Sequence, residues 1–129
     1  MDVSSEPGVS LIHVVDVTDT ITALDLEGEF DLNAAPSLVE HAQRVLDSGK
    51  NLILNLSDAT FIDSSIVHAL FRVDAAARAD GREFVLQFGT HPGVERVLSL
   101  TGAAANLVTA TTRSEAIELV EKAARARTS

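Results

Sequence analysis

The sequence contains no cysteine, few basic residues and no long apolar run, and each absence excludes a class of protein. Without cysteine there is no disulfide framework, no thiolate metal site and no cysteine nucleophile. Ten Lys and Arg stand against nineteen Asp and Glu, and a net charge of −9 argues against nucleic-acid binding, which depends on cationic side chains. Apolar runs stop at three residues, whereas a membrane span needs about 20. We therefore expect neither a nucleic acid nor a membrane as a partner.

Motifs of catalysis and nucleotide binding are also missing. The sequence has no G-x-x-x-x-G-K-[ST] loop, no G-x-G-x-x-G fingerprint and no G-x-S-x-G elbow around a serine. A receiver-type phosphoaspartate protein would need a lysine near a late strand end, and Lys50 and Lys122 are not so placed. We expect a protein that is not an enzyme and needs no cofactor. A third functional hypothesis is an enzyme or phosphocarrier that works through a histidine or aspartate.

Two groups of side chains invite a metal interpretation. The first contains four histidines without an H-x-x-x-H pair: His13, His41, His68 and His91. The second is an acidic run without the spacing of a calcium loop: Asp25, Glu27, Glu29 and Asp31. We expect a solvated strand edge here and no metal site.

The spacing of the apolar residues, 46% of a chain of 129, indicates one domain in which strands alternate with helices. Strands are predicted at 11–17, 21–26, 51–56, 83–88 and, briefly, 106–108. Helices are predicted at 34–48, 64–79, 92–101 and 113–124. We expect an α/β fold that opens with an antiparallel hairpin and continues with parallel strands, giving a mixed sheet of four or five strands. The domain should span residues 11–124, with loose tails at 1–10 and 125–129.

The first helix has clear boundary signals. Asn33 is a good N-cap and Pro36 falls in the first turn, where its missing N–H costs little. We expect four residues of this helix to enter the core: Leu38, Val39, Val45 and Leu46.

Residues 60–65 lie between a buried strand and a helix and allow two interpretations. In the first, Asp63 or a serine caps the helix, because a side-chain oxygen there accepts an unpaired backbone N–H. In the second, a serine is a regulatory phosphosite, because the positive end of the helix dipole accommodates a phosphate. The two interpretations are compatible.

Three segments together resemble one known family. Residues 51–56 (Asn-Leu-Ile-Leu-Asn-Leu) followed by 61–65 (Phe-Ile-Asp-Ser-Ser) resemble the strand, loop and Asp-Ser-Ser helix start of bacterial anti-sigma factor antagonists, the STAS-domain family. Residues 28–31 (Gly-Glu-Phe-Asp) resemble the family's Gly-Glu-Leu-Asp turn, and residues 94–102 resemble its late helix and terminal glycine. The resemblance covers roughly residues 10–122.

The resemblance implies a single STAS-type α/β domain and a switch in transcription regulation. In that family the unphosphorylated antagonist binds an anti-sigma factor that has serine-kinase activity and thereby releases a sigma factor, and phosphorylation abolishes the binding. The phosphoacceptor carries over to Ser64, with Asp63 beside it and Ser65 as the neighbouring hydroxyl. The implied partners are the anti-sigma kinase and a serine phosphatase, and the implied location is the cytoplasm, since the N-terminus carries no signal sequence.

The chain departs from the family directly after these serines. The family usually continues Asp-Ser-Ser-Gly-Leu-Gly, whereas residues 66–68 here are Ile-Val-His. Ile66 shares the spacing of later apolar residues and is expected in the core, and His68 is expected to face the partner. The predicted partner-binding set is Asp31, Asp63, Ser64, Ser65, Val67 and His68. The alternative is a STAS domain that acts as a scaffold or small-ligand sensor, in which Ser64 is never phosphorylated.

Overall fold

Five strands and five helices make up residues 9–128, the part of the chain described by the structure, a computed structural model. The strands are β1 Ser10–Asp16, β2 Ile21–Phe30, β3 Asn51–Ile62, β4 Phe84–Gln87 and β5 Thr109–Ala110. The helices are α1 Ala35–Asp47, α2 Ser64–Ala79, α3 Pro92–Leu100, α4 Ala103–Asn106 and α5 Arg113–Thr128. None of these helices has the length and apolar character needed to cross a membrane.

The strands form one mixed sheet in chain order, β1-β2-β3-β4-β5. β1 is antiparallel to β2, and β2 to β5 are parallel to their neighbours. The predicted α/β class, opening hairpin and parallel later strands are confirmed.

β2 and β3 are longer than the sequence pattern predicts. The predicted ends at 26 and 56 become Phe30 and Ile62, because the two strands continue to pair with each other beyond the end of β4. Register shifts between Asp25 and Glu27 and between Gly28 and Glu29 interrupt this extension. Gly28 has φ +100°, and a Cβ there would lie 2.2 Å from the carbonyl oxygen of Val9. A glycine is therefore required where β1 begins beside the shifted ladder.

The C-terminal elements also differ from the prediction. The strand expected at 106–108 is replaced by α4 and by β5, which pairs with the last two residues of β4. α5 continues to Thr128, so most of the predicted tail at 125–129 is helical, and a fifth helix joins the expected four. The predicted tail at 1–10 lies outside the described residues as far as residue 8, and Ser10 already belongs to β1.

The expected cap of α1 is wrong. Ala34 occupies the N-cap position without a side-chain hydrogen bond. Asn33 is instead held by Asp31, whose Oδ1 accepts a hydrogen bond from the Asn33 backbone N–H at 3.0 Å. A local Asx turn thus takes the place of the cap that the residue type suggested. α1 still enters the core through Leu38 and its neighbours, although Val39 is only partly buried.

The core lies on both faces of the sheet. The larger cluster joins α1, α2 and α3 to side chains such as Leu24, Leu54 and Leu86, and the smaller one places α5 over Ile53 and Val85. Alternate residues of the strands serve the two clusters, as expected for a sheet covered on both sides.

A polar network continues the α5 face where the apolar cluster ends. Arg113, at the start of α5, forms an ion pair with Asp25 of β2 and donates a hydrogen bond from Nε to Gln87 Oε1 at 3.1 Å. Asn55 Nδ2 donates to Asp25 Oδ1 at 3.1 Å. The expectation of a solvated strand edge is therefore wrong for Asp25, because β2 lies between β1 and β3.

Candidate functional site

The ends of β2 and β3 bring two predicted site residues to the same edge of the sheet. Phe30 and Ile62 are register partners in the parallel ladder. Asp31 and Asp63 each follow one of them, so both leave the sheet at its C-terminal edge. α2 begins at the next residue, Ser64. Two motifs that are 32 residues apart in the sequence are thus neighbours in the fold.

Asp63 is the N-cap of α2. Its backbone is extended, and its Oδ1 accepts hydrogen bonds from the backbone N–H groups of Ser65 at 3.0 Å and Ile66 at 3.3 Å. The Ser65 hydroxyl donates to the same oxygen. One side chain therefore satisfies two of the N–H groups that a helix leaves unpaired at its start. The capping interpretation is confirmed, and the cap does not use the Ser64 side chain.

The two serines of the motif have different environments. Ser64 is exposed, and its hydroxyl makes no hydrogen bond with any other residue in the range 9–128. Ser65 is half-buried and its hydroxyl is engaged by Asp63. Ser64 is thus the hydroxyl that a second protein can approach without breaking an existing hydrogen bond.

The next three residues lie on different sides of α2. Ile66 is fully buried, as the sequence predicts. Val67, predicted to face a partner, is only 5% exposed and belongs to the larger core cluster, so the structure places its side chain inside the domain. α2 contacts α1 as well as β3 and β4, which buries a wider face than packing on the sheet alone. His68 is exposed and lies one helical turn after Ser64, on the same face.

A groove of about 580 Å³ lies between α1 and α2, beside the second serine. Its apolar wall is formed by Leu32, Ala35, Pro36, Val39 and Ala69, and its polar lining by Glu40, Ser65, His68 and Arg72. Leu32 is 70% exposed, and Phe61, three residues before Ser64, is 48% exposed. Large apolar side chains that remain in water next to a free hydroxyl are typical of a contact surface.

The charge around the start of α2 is mainly negative. In the extension of β2 and β3, Glu27 is the register partner of Asp58, and Glu29 precedes Asp31 by two residues. All four side chains are exposed. Within residues 9–128, no three His, Asp or Glu side chains come close enough together to hold a metal ion.

The sequence matches the STAS domain model over residues 13–116. The chain belongs to the STAS domain family. The matched range begins in β1, ends in α5 and includes every residue of the Ser64 site. No curated protein matches this STAS domain by sequence.

Solved structures of the same fold include several anti-sigma factor antagonists. One from Mycobacterium paratuberculosis is 24% identical and superposes with a TM-score of 0.80 over 91% of this chain and 98% of its own. A protein of Thermotoga maritima assigned to the same role is 27% identical, with a TM-score of 0.75 over 85% of this chain and 94% of its own. Bacillus SpoIIAA, known in an unphosphorylated and a phosphorylated form, gives 23% and 22% identity and TM-scores of 0.72 and 0.64. These alignments cover 87% and 85% of this chain and 97% and 99% of SpoIIAA.

Sequence reasoning missed the apolar part of this STAS domain's surface. Leu32 stands alone between the polar residues Asp31 and Asn33 and lies outside the apolar spacing of α1. Phe61 precedes Ile62 in a strand, so alternation places one of the two outside the core. The groove itself has no local sequence signal, because α1 and α2 are separated in the sequence by β3 and meet only in the folded domain.

Proposed function

We propose that this STAS domain is an anti-sigma factor antagonist controlled by phosphorylation of Ser64. In the unphosphorylated form it binds an anti-sigma factor with serine-kinase activity, and the sigma factor is released. Phosphate on Ser64 ends that binding, and a serine phosphatase restores it. These steps take place in the cytoplasm. The observation that carries the proposal is the free, exposed Ser64 hydroxyl at the first position of α2, beside a cap that does not need it.

The hydrogen bonds of the motif support Ser64 over Ser65 as the acceptor. A kinase must bring the serine oxygen in line with the γ-phosphate, and an engaged hydroxyl must first leave its partner. The Ser65 hydroxyl donates to Asp63, and Ser65 is half-buried. Phosphate transfer to Ser65 would therefore disturb the cap of α2. The chain supplies only the acceptor; the partner kinase supplies the nucleotide and its metal ion.

The proposed partner surface is the edge formed by the start of α2 and the turn after β2. It contains Asp31, Asp63, Ser64, Ser65 and His68 from the predicted set, and we add the exposed apolar residues Leu32 and Phe61. Val67 is left out because its side chain is in the core. An apolar patch rimmed by polar groups is the usual composition of a specific protein interface.

The effect of phosphate follows from charge and desolvation. Phosphorylation adds about 1.5 to 2 negative charges at neutral pH. On the free domain that charge sits in water at the positive end of the α2 dipole, so the fold should persist. In a complex the same group must be desolvated beside Asp63 and the carboxylates of the β2 and β3 ends. A penalty of about 3 kcal/mol would weaken binding roughly a hundredfold.

The structural neighbours support the direction of this proposal. SpoIIAA, whose fold this chain shares, is known in both an unphosphorylated and a phosphorylated form. At 23% identity that likeness carries the fold, and the assignment to Ser64 rests on the local geometry of this chain.

Binding of Ser64 variants to the anti-sigma serine kinase encoded in the same genome tests the proposal. We expect Ser64→Ala to bind like the wild type and Ser64→Glu to bind on the order of a hundredfold more weakly. Ser114→Glu is the matched control, because Ser114 is an exposed serine in the first turn of α5 on the other face of the sheet. Phosphopeptide mapping should place the phosphate on Ser64. Modification of Ser65 alone would refute the residue assignment, and equal binding by Ser64→Ala and Ser64→Glu without any phosphorylation would refute the switch.

The groove between α1 and α2 favours one alternative, a STAS domain that senses a small ligand. Its volume of about 580 Å³ falls in the range of ligand pockets, and its lining combines apolar residues with Glu40, His68 and Arg72. A ligand found in the purified protein, together with no kinase binding, would favour this function over the phosphorylation switch.

A further inference from the structure

The two edges of the sheet are very different. β5 has two residues and offers little backbone to another strand, whereas β1 has seven. Within residues 9–128, β1 pairs with β2 on one side only. Its outer side therefore presents a row of backbone N–H and C=O groups to whatever approaches it.

Apart from the charged Asp16 at its end, β1 lacks the features by which proteins protect an exposed edge strand. It contains no proline and no lysine, and its register with β2 runs from Ser10 to Asp16 without a bulge. Three of its apolar side chains stand in water: Leu11 at 45% exposure, Val14 at 58% and Val15 at 37%. A regular, apolar and unprotected edge is a template for pairing with another strand.

The direction of the free backbone groups follows from the bonds at the two ends of β1. The Val9 carbonyl accepts from the Glu29 N–H at 3.0 Å, and the Val17 N–H donates to the Ile21 carbonyl at 2.9 Å. In an antiparallel pair, alternate residues turn their backbone groups to the same neighbour. The odd-numbered residues of β1 therefore bond to β2, and the even-numbered ones face the open edge: Ser10, Ile12, Val14 and Asp16.

The sequence of β1 is self-complementary about His13. If a second copy pairs antiparallel with His13 opposite His13, then Ile12 faces Val14 and Leu11 faces Val15. Ser10 then faces Asp16, so a hydroxyl meets a carboxylate. In this register the even-numbered residues, whose backbone groups face the open edge, pair with even-numbered residues of the second copy, so their backbone N–H and C=O groups meet. No apolar side chain of the strand is set against a charged one.

We propose that β1 pairs with β1 of a second copy about a twofold axis at His13, which joins the two sheets into one sheet of ten strands. The interface is isologous, so it closes as a dimer and does not propagate. Ile12 and Val14 extend the face that carries α1, because their β2 partners Leu26 and Leu24 lie in the larger cluster. Val15 extends the face that carries α5, because its partner Ala23 lies in the smaller cluster, and Leu11 shares that face by alternation. The dimer is independent of the function proposed above.

The geometry leaves the Ser64 sites free in the dimer. A twofold axis perpendicular to the sheet reverses the strand direction, so the C-terminal edges of the two sheets point in opposite directions. The start of α2 lies at that edge in each copy. One dimer therefore presents two separate Ser64 sites at opposite ends of the ten-stranded sheet.

A disulfide test uses the absence of cysteine from the wild-type chain. At the centre of the proposed register, His13 faces its own copy in a pair that is not hydrogen-bonded, where Cα atoms lie about 4.5 Å apart, within disulfide range. His13→Cys should therefore give a covalent dimer rapidly under mild oxidation. Val15→Cys is the matched control on the same strand and face, because the two Val15 positions are offset by about 13 Å along the strands.

The oligomeric state provides an independent measurement. Sedimentation equilibrium of the full chain should give a mass approaching twice 13.7 kDa as concentration rises. Val14→Pro removes an outward N–H that β2 does not use, and should weaken the dimer at least about tenfold. Val14→Thr keeps that N–H and the branched shape and should stay dimeric.

Three results would overturn the dimer. They are a monomer at every concentration up to about 1 mM, equal crosslinking of His13→Cys and Val15→Cys, and equal dimerisation of Val14→Pro and Val14→Thr. The crosslinking pair remains decisive if Val14→Pro fails to fold. If β1 instead pairs with a different protein, the purified chain stays monomeric at every concentration, and the dimer is refuted in the same way.

Discussion

Replacing Ile66 by glycine restores a residue that the STAS family usually has, yet the structure predicts a large loss of stability. The Ile66 side chain is fully buried in the cluster formed by α1, α2, α3 and the sheet. Removing a buried aliphatic side chain of this size costs about 2 to 5 kcal/mol, and glycine within the first turn adds several tenths more. The backbone N–H of Ile66, bonded to Asp63, is kept in the variant, so most of the loss comes from side-chain packing.

Thermal and urea unfolding of the wild type, Ile66→Gly and His68→Gly measure this loss. Both variants restore a family glycine on α2, but His68 is exposed, so its replacement should cost only about 1 kcal/mol of helix propensity. We expect a midpoint about 10 to 15 °C lower for Ile66→Gly and about 3 °C lower for His68→Gly. Equal midpoints for the two variants would refute the burial of Ile66 and the packing of α2 derived from it.

Two further predictions concern polar groups. Asp63→Ala removes the cap of α2 and should lower the free energy of unfolding by about 1 to 2 kcal/mol, whereas Ser64→Ala should change it by less than about 0.5, as measured in urea. Arg113→Met leaves the half-buried carboxylate of Asp25 without its ion-pair partner and should lower the free energy of unfolding by about 1 to 3 kcal/mol. Adding Asp25→Asn to the same chain should recover part of that loss, and no recovery in the double variant would contradict a direct pairing.

The sequence predicts best those features that local chemistry decides. Asp63 caps α2 because a carboxylate directly before an apolar helical stretch accepts the backbone N–H groups two and three residues later. The donors, Ser65 and Ile66, are close to Asp63 in the sequence, so this contact is visible without the fold. Ile66 is identified by its spacing with Leu70 and Val73, which places it on the helix face toward the sheet. The beginning of α2 and its buried face follow from these signals.

Features decided by distant neighbours are not visible in the sequence. Val67 is buried in the larger core cluster through contacts with other elements of the fold, and no pattern within α2 reports those contacts. β3 continues to Ile62 because β2 is there to pair with it, although Ser57 and Asp58 suggest a loop. Asn33 has the residue type of a cap, but it lies within a turn held by Asp31, and α1 begins two residues later, at Ala35.

The order of the strands has a consequence for synthesis. Because each strand pairs with the one before it in the chain, the sheet can grow as residues leave the ribosome, without waiting for a distant segment. One face is an exception: among the described helices only α5 covers Ile53 and Val85, and α5 follows all five strands in the chain. A nascent or truncated chain that ends before Arg113 carries all five of these strands with one apolar side of the sheet open to water, and it is at this stage that a chaperone has most to protect.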